Sequence, residues 1–497
     1  MNVVHSKACA DPRAAPKQGN PLRKFLGDGA LYMAVVILQK ACSFFTVPIL
    51  THVFAPDDYG LILLLTNASG LLAVVLGLGL EMAMVIYLAE ATDPRQIRLI
   101  ASTTLWIRLV LFGCSLAAIL AFLAPVATIL VPGRNDVLST VAMAAVSMFC
   151  MAMLQHFGQI LQAQARNRAR AFIELMVTII WVVTIMLGVL VFHWGPTAIY
   201  VPGLIMGLVL IPIYLVLTRD SFGFCFSLPV ARRLLQVGLP QMPANVAAVT
   251  MTSSASFFVQ AGVSLAAVGV LNAAASLANM VSLFFFPFAQ IWLPFVHRHQ
   301  DSPMARADFV KIHTLYLWGL ALVLAGVGLF AQEATMIVLA PEYRQAFLYV
   351  PPLIAAAMAF EIGNVFAIGL GIAKKTYHRA WVMALCAALY LGSMWLLLPR
   401  LGLWAVPLCA LAAYTVGGVL LTRLSNRYYA VPYAWGRALA FAGVTLAVVL
   451  GLYRLEVSVP AFLIKTGAFA ALAAVALWLN RDSLKWKGFS RRAPDRA

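Results

Sequence analysis

Five charged residues, Lys40, Glu81, Arg108, Glu174 and Glu361, stand inside or at the ends of long apolar runs. An ionised group there is costly unless it faces water or an opposite charge. The cations suit an anionic ligand: Arg108 presents a planar donor fork to phosphate oxygens, and Lys40 a mobile point charge. Glu81 can also serve Arg108 as a structural counter-charge, so both readings stay open. Glu361 lies three residues before Asn364, which puts both on one helical face. Glu361 and Glu174 are candidates for gating or cation coupling. Gln39, Glu81, Gln155, His156, Asn245, Asn272, Asn279 and Asn364 are candidates for the polar lining of a cavity, with Asn245, Asn272 and Asn279 offering neutral hydrogen bonds that suit a saccharide.

The elements that must hold these groups are membrane helices. Of the 497 residues, 63% are apolar and 11% charged, where a soluble domain carries about a quarter charged. Apolar runs cover about 30–50, 61–88, 99–123, 138–160, 171–192, 197–218, 237–260, 268–290, 312–332, 346–372, 380–398, 401–422, 438–453 and 459–479. Most reach the roughly 17–25 residues needed to span the hydrocarbon, and none shows the weak alternation of a transmembrane barrel. The expected fold is an all-α polytopic membrane protein of about fourteen helices. The last two runs are the least secure, the first being short and the second containing Lys465.

Net charge is +17, and its distribution decides its meaning. By position, 28 of the 35 basic residues fall in the leader, in every second connector and in the tail. Such alternation is the positive-inside pattern, so both termini are expected in the cytoplasm of a cell with an inner membrane. The excess cation density then meets anionic phospholipid headgroups and not nucleic acid. A polar leader of about 25 residues before a long span is unlike a cleavable signal peptide.

A faint repeat divides the chain. Gly29 and Gly238, Gly60 and Gly269, the Ile129–Pro132 and Val338–Pro341 passages, and Arg170 and Arg379 are each separated by 209 residues. Six spans per repeat give both units the same orientation, hence two parallel six-helix lobes about an axis along the membrane normal, with a cavity between them. The expected division is 1–218 for the first lobe, 219–422 for the second, and 423–497 for a final helix pair and basic tail. Gly203 and Gly207 form a close-packing pattern. Pro240, Pro243, Pro287, Pro294, Pro351 and Pro352 are expected to bend helices. The seven cysteines make no metal or disulfide spacing, and there is no GxxxxGK[ST], HExxH or CxxC. No cofactor or metal and no catalytic role are expected, while proton and sodium coupling both remain open.

The passages Lys24-Phe25-Leu26-Gly27-Asp28-Gly29, Pro48-Ile49-Leu50, Ala55-Pro56-Asp57-Asp58-Tyr59-Gly60 and Leu76-Gly77-Leu78-Gly79 resemble the amino-terminal pattern of bacterial polysaccharide and O-antigen flippases. These belong to the multidrug, oligosaccharidyl-lipid and polysaccharide exporter superfamily. The resemblance implies alternating access and passage of a polyprenyl-diphosphate-linked oligosaccharide from the cytoplasmic to the periplasmic leaflet. Lys40, Arg108 and Arg98 then meet the headgroup, Asp57 and Asp58 lie at the opposite-side turn, and polysaccharide polymerase and glycan assembly proteins are the implied partners. The peptidoglycan-precursor branch concentrates arginine in its first lobe, and this chain does not. The drug-exporter branch often uses a membrane carboxylate for cation coupling, which makes Asp28 at the entrance to the first span a coupling candidate, yet the run 237–260 has none. A cation-coupled exporter of small amphipathic compounds and a membrane-embedded glycan transferase or polymerase are the alternatives.

Overall fold

A computed structural model describes residues 35–481, apart from positions 36–37, 40, 44, 92, 135, 165, 283, 286–287, 289–291, 293–294, 297–298, 301–304, 374, 376 and 434. Asp28 and Lys40 therefore lie outside the described residues, as do Pro287 and Pro294. The chain is all-α. Among the described residues, ten helical segments are long and apolar enough to cross a membrane, and two shorter apolar helices, Ala41–Val53 and Leu265–Val281, accompany them.

The first repeat runs α1 (Ala41–Val53), α2 (Pro56–Gly77), α3 (Leu80–Glu90), α4 (Pro94–Ala121), α5 (Leu123–Leu130), α6 (Leu138–Ala163), α7 (Asn167–Met186) and α8 (Val201–Thr218). A short amphipathic helix follows, α9 (Leu228–Gly238), which buries Ala231 and Leu234 and exposes Arg232 and Arg233. The second repeat comprises α10 (Met242–Gly262), α11 (Leu265–Ala278), α12 (Ala305–Leu329), α13 (Ala331–Val338), α14 (Val350–Phe366), α15 (Ile368–Ile372), α16 (Tyr377–Leu401) and α17 (Ala405–Tyr428). A final pair, α18 (Trp435–Leu452) and α19 (Val459–Leu479), completes the fold.

Local chemistry sets these boundaries. Asp93, Ser227, Ser264 and Ser458 cap α4, α9, α11 and α19 by accepting a hydrogen bond from a first-turn backbone N–H. Proline occupies the first turn of α2, α4, α8, α9, α10, α14 and α19, where its missing donor costs nothing. This corrects the expectation that Pro243, Pro351 and Pro352 bend helices: they start α10 and α14, and Pro240 sits in the 3₁₀ turn before α10. The continuous run 61–88 is also corrected. It breaks at Leu78 and Gly79, whose φ of 48° and 66° are left-handed and end α2 before α3 begins.

Helix ends recur at the repeat distance. Pro56 at the start of α2 corresponds to Leu265 at the start of α11, 209 residues on. Shifted equally, the ends of α4, α5, α6, α7 and α8 fall within two residues of the corresponding ends of α12, α13, α15, α16 and α17, except where α6 begins before α14 or α7 and α8 differ in extent. Equivalent glycines touch. A Cβ on Gly60 would lie 2.1 Å from the Leu265 carbonyl oxygen, and one on Gly269 would lie 2.2 Å from the Pro56 carbonyl oxygen. Each contact is the other shifted by 209 residues, so the local pairing of α2 with α11 is self-complementary.

Near the other end of the α2–α3 unit, Gly79 meets Gly238 of α9: a Cβ on Gly79 would lie 2.2 Å from the Gly238 carbonyl oxygen. Gly203 and Gly207 let α8 close onto Ser147 and Cys150 of α6, the close packing their spacing suggests. Lys465, the residue that made the last run insecure, is fully buried and paired with Glu333 of α13 at 2.7 Å. The helix α19 is thereby tied to the second repeat. Large apolar side chains such as Ile337, Trp381 and Trp395 are exposed on the outside of the helices, as a lipid-facing surface requires.

Candidate transport site

The arginine-rich connectors mark one end of the helices, termed here the basic face. Within the second repeat a cavity of about 280 Å³ opens between α10, α11, α14, α16 and α17. Its polar lining comprises Thr252 and Ser256 of α10, Asn272 and Asn279 with Ser282 on or after α11, Glu361 of α14, and the tyrosines Tyr390 and Tyr414. Among the described residues, Glu361 is the single carboxylate in that lining. Three residues singled out in the sequence, Asn272, Asn279 and Glu361, thus meet around one space.

Ser256 is the junction. Its Oγ accepts from Asn67 Nδ2 of α2 at 2.7 Å and from Asn272 Nδ2 at 3.3 Å. Asn67 belongs to the first repeat and Ser256 to the second, so this polar contact joins the two at membrane depth. Neither residue stood out in the sequence, because an isolated serine or asparagine barely changes the hydropathy of an apolar run. Asn364 lies one turn beyond Glu361 towards the basic face and accepts from Arg379 Nη2 at 2.6 Å. Arg379 and Glu361 are close enough to interact electrostatically.

The first repeat organises its charges differently. Arg108, 1% exposed, donates from Nη2 to Glu81 Oε1 at 2.5 Å and from Nη1 to the Ala152 carbonyl at 3.2 Å. It therefore binds α3, α4 and α6 together, while the Glu81 side chain remains 48% exposed. His156 is buried against Phe157 and Phe222. Gln39 donates to Glu174 Oε2 at 3.0 Å, and Glu174 lies 3.8 Å from Arg170 Nε. Arg98 stays at the basic face, its Nε donating to the Asp220 carbonyl at 2.8 Å. Gln155 and Asn245 are exposed on α6 and α10, outside the cavity lining. Trp292 is packed internally, donating to the Val365 carbonyl at 3.0 Å.

At the opposite face, Asp58 accepts from Arg134 at 3.0 Å, and Arg134 also grips Asp136 at 2.6 Å. The hydrogen bond from Arg134 is the main cause that holds the Asp136 carboxyl below its ordinary pKa. Tyr343 donates to the Phe54 carbonyl at 2.7 Å and packs edge-on against Tyr59. The Tyr343 contacts, with Gly60 on Gly269, join the repeats at that face, while the Arg134 pairs lie within the first repeat.

Residues 25–300, more than half of the chain, match the polysaccharide biosynthesis protein family. The chain belongs to that family. No curated protein matches the sequence. Among solved structures, the fold resembles the lipid II flippase MurJ in its inward closed conformation, with a TM-score of 0.73 at 13% identity, covering 92% of this chain and 100% of that one. It also resembles an inward-facing multidrug resistance MATE family transporter of the MOP superfamily, with a TM-score of 0.62 at 14% identity, covering 83% and 98%. A MATE structure in a straight conformation gives 0.57 at 14% identity, covering 84% and 96%. The chain thus shares its fold with MurJ and the MATE proteins.

Proposed function

We infer that the protein is a flippase that carries a polyprenyl-diphosphate-linked oligosaccharide from the cytoplasmic to the periplasmic leaflet of a bacterial inner membrane. The product would feed polysaccharide or lipopolysaccharide assembly, with a polymerase and glycan assembly proteins as partners downstream. The observation that carries the reading is the family match over residues 25–300, set on the fold shared with a lipid II flippase. The positive-inside bias supports both termini, and with them the basic face, on the cytoplasmic side. The recurrence of helix ends at 209 residues supports two six-helix lobes that alternate in exposure.

The physical task suits the arrangement. A diphosphate and sugar head cannot cross hydrocarbon unaided, whereas the prenyl tail can stay in lipid. The amides and hydroxyls around Ser256 and Asn272 offer neutral hydrogen bonds where a saccharide would need them. Lys40 and Arg108 remain headgroup candidates, Arg108 only if Glu81 releases it. Glu361, facing the cavity, is the candidate for coupling to a proton or sodium ion. That same carboxylate favours the second reading, a cation-coupled exporter of small amphipathic compounds.

Sealed proteoliposomes carrying labelled polyprenyl-diphosphate oligosaccharide in one leaflet decide between the two. Protein-dependent appearance in the other leaflet is the expected result. Its absence across several glycans, with cation-driven uptake of a soluble amphipathic compound, would transfer the chain to the exporter reading.

A further inference from the structure

Arginine recurs at one repeat-equivalent position in each half, and its surroundings are alike in kind. Arg170, in the first turn of α7, and Arg379, in the first turn of α16, are 209 residues apart at the basic ends of equivalent helices. Each guanidinium donates to a carboxamide oxygen on the preceding long helix: Arg170 to Gln162 of α6, and Arg379 to Asn364 of α14 at 2.6 Å. Each also interacts electrostatically with a carboxylate of its own repeat. For Arg170 this is Glu174, at 3.8 Å. For Arg379 it is Glu361, which lines the cavity.

The partners do not occupy equivalent positions. Shifted by 209 residues, Asn364 corresponds to Gln155, whereas the amide that Arg170 meets is Gln162, and Glu361 corresponds to Ala152. A purely structural clamp inherited by duplication would bring its partners with it. Here the arginine recurs while the amide and acid that hold it come from different turns. The common feature is a guanidinium at the basic face with a neutral carboxamide oxygen among its partners, an acceptor that phosphate can replace.

We propose that Arg379 and Arg170 receive phosphate oxygens of an anionic polyprenyl diphosphate at the basic face, the phosphate displacing the Asn364 or Gln162 oxygen. This rests on the reading of the chain as a carrier of lipid-linked diphosphates. Phosphate is the better acceptor for a guanidinium because it carries a full negative charge that a carboxamide oxygen lacks, and the planar fork fits two of its oxygens. The carboxylates complete the device. Glu361 and Glu174 hold each arginine near its post when no ligand is present and repel an anion that moves deeper. The ligand is thereby retained at the mouth until the repeats rearrange.

The test is equilibrium binding of labelled polyprenyl diphosphate to the full-length protein in nanodiscs, with inorganic diphosphate as competitor and polyprenol as the phosphate-free control. Arg379→Gln and Arg170→Gln should each weaken binding about tenfold or more, and Arg379→Lys should fall between Gln and wild type. Asn364→Ala should bind as tightly as wild type or tighter, because a competing acceptor has gone. A merely structural Arg379–Asn364 bond predicts instead that Asn364→Ala weakens binding as much as Arg379→Gln does.

Folded Gln variants that bind like wild type would overturn the proposal, and so would polyprenol binding as well as its diphosphate. If the Gln variants do not fold, the Lys variants carry the same comparison. A wild type that binds the lipid but never exposes it in the other leaflet would remove the flippase reading and leave the clamp. Full-rate flipping by both Gln variants would do the reverse.

Discussion

Replacing Gly60 with alanine tests the contact on which the two repeats meet. The new Cβ would sit 2.1 Å from the Leu265 carbonyl oxygen, against about 3.3 Å for the closest comfortable carbon–oxygen approach. The backbones of α2 and α11 must therefore part by about 1 Å, and no flexible side chain can absorb the shift. Overpacking of this kind costs about 1–3 kcal/mol. If it burdens only the conformer in which α2 and α11 touch, populations shift roughly 5- to 150-fold toward conformers that separate them. Helix propensity alone pushes the other way, favouring alanine by about 1 kcal/mol, so the sign of the effect discriminates. Spin labels at the exposed positions Asp57 and Val263, in a cysteine-free background, would report the separation. Gly60→Ala and Gly269→Ala should each lengthen the distance distribution and change the flipping rate. Unchanged distances with a raised melting temperature would refute the argument, because the glycines would then be dispensable.

Two further outcomes follow from ion pairs at opposite extremes of burial. Lys465→Met leaves Glu333, 12% exposed, without its counter-charge, and should cost about 3–5 kcal/mol in thermal unfolding. Adding Glu333→Leu should recover most of that loss, and a double variant no better than the single one would refute the pairing. At the opposite face, the Asp136 carboxyl is held below its usual value by Arg134, so its stabilising contribution is present above the ordinary carboxylate range. It is lost as pH falls through the lowered folded-state value. Asp136 is 65% exposed, so the effect on stability is small, and a carboxyl NMR titration is the appropriate readout. In Arg134→Gln, Asp136 should titrate at higher pH than in wild type, and an unmoved curve would show that the contact is not formed in solution.

Much of this protein was legible in the order of its residues, for reasons that are local. Apolar runs of bilayer length must become helices because hydrocarbon leaves backbone donors no other partner. The spacing of Gly29 and Gly60 from Gly238 and Gly269 exposed a repeat of 209 residues, whereas Pro243, Pro351 and Pro352 read as bends and stand at helix starts. What those residues touch was not legible. The repeat gave no sign that Gly60 and Gly269 lie against each other's helix, and hydropathy treated Lys465 as a flaw when Glu333, 132 residues earlier, neutralises it. Arg108 carried two open readings until folding brought Glu81 and the Ala152 carbonyl to its guanidinium. Asn67 and Ser256 carried no signal at all, being single small polar groups in apolar helices. Propensity and hydropathy act over a few turns of one helix, while a partner across the bundle is selected by how helices far apart in the chain pack. That packing placed Asn272, Asn279 and Glu361 around one cavity and left Arg98 outside it.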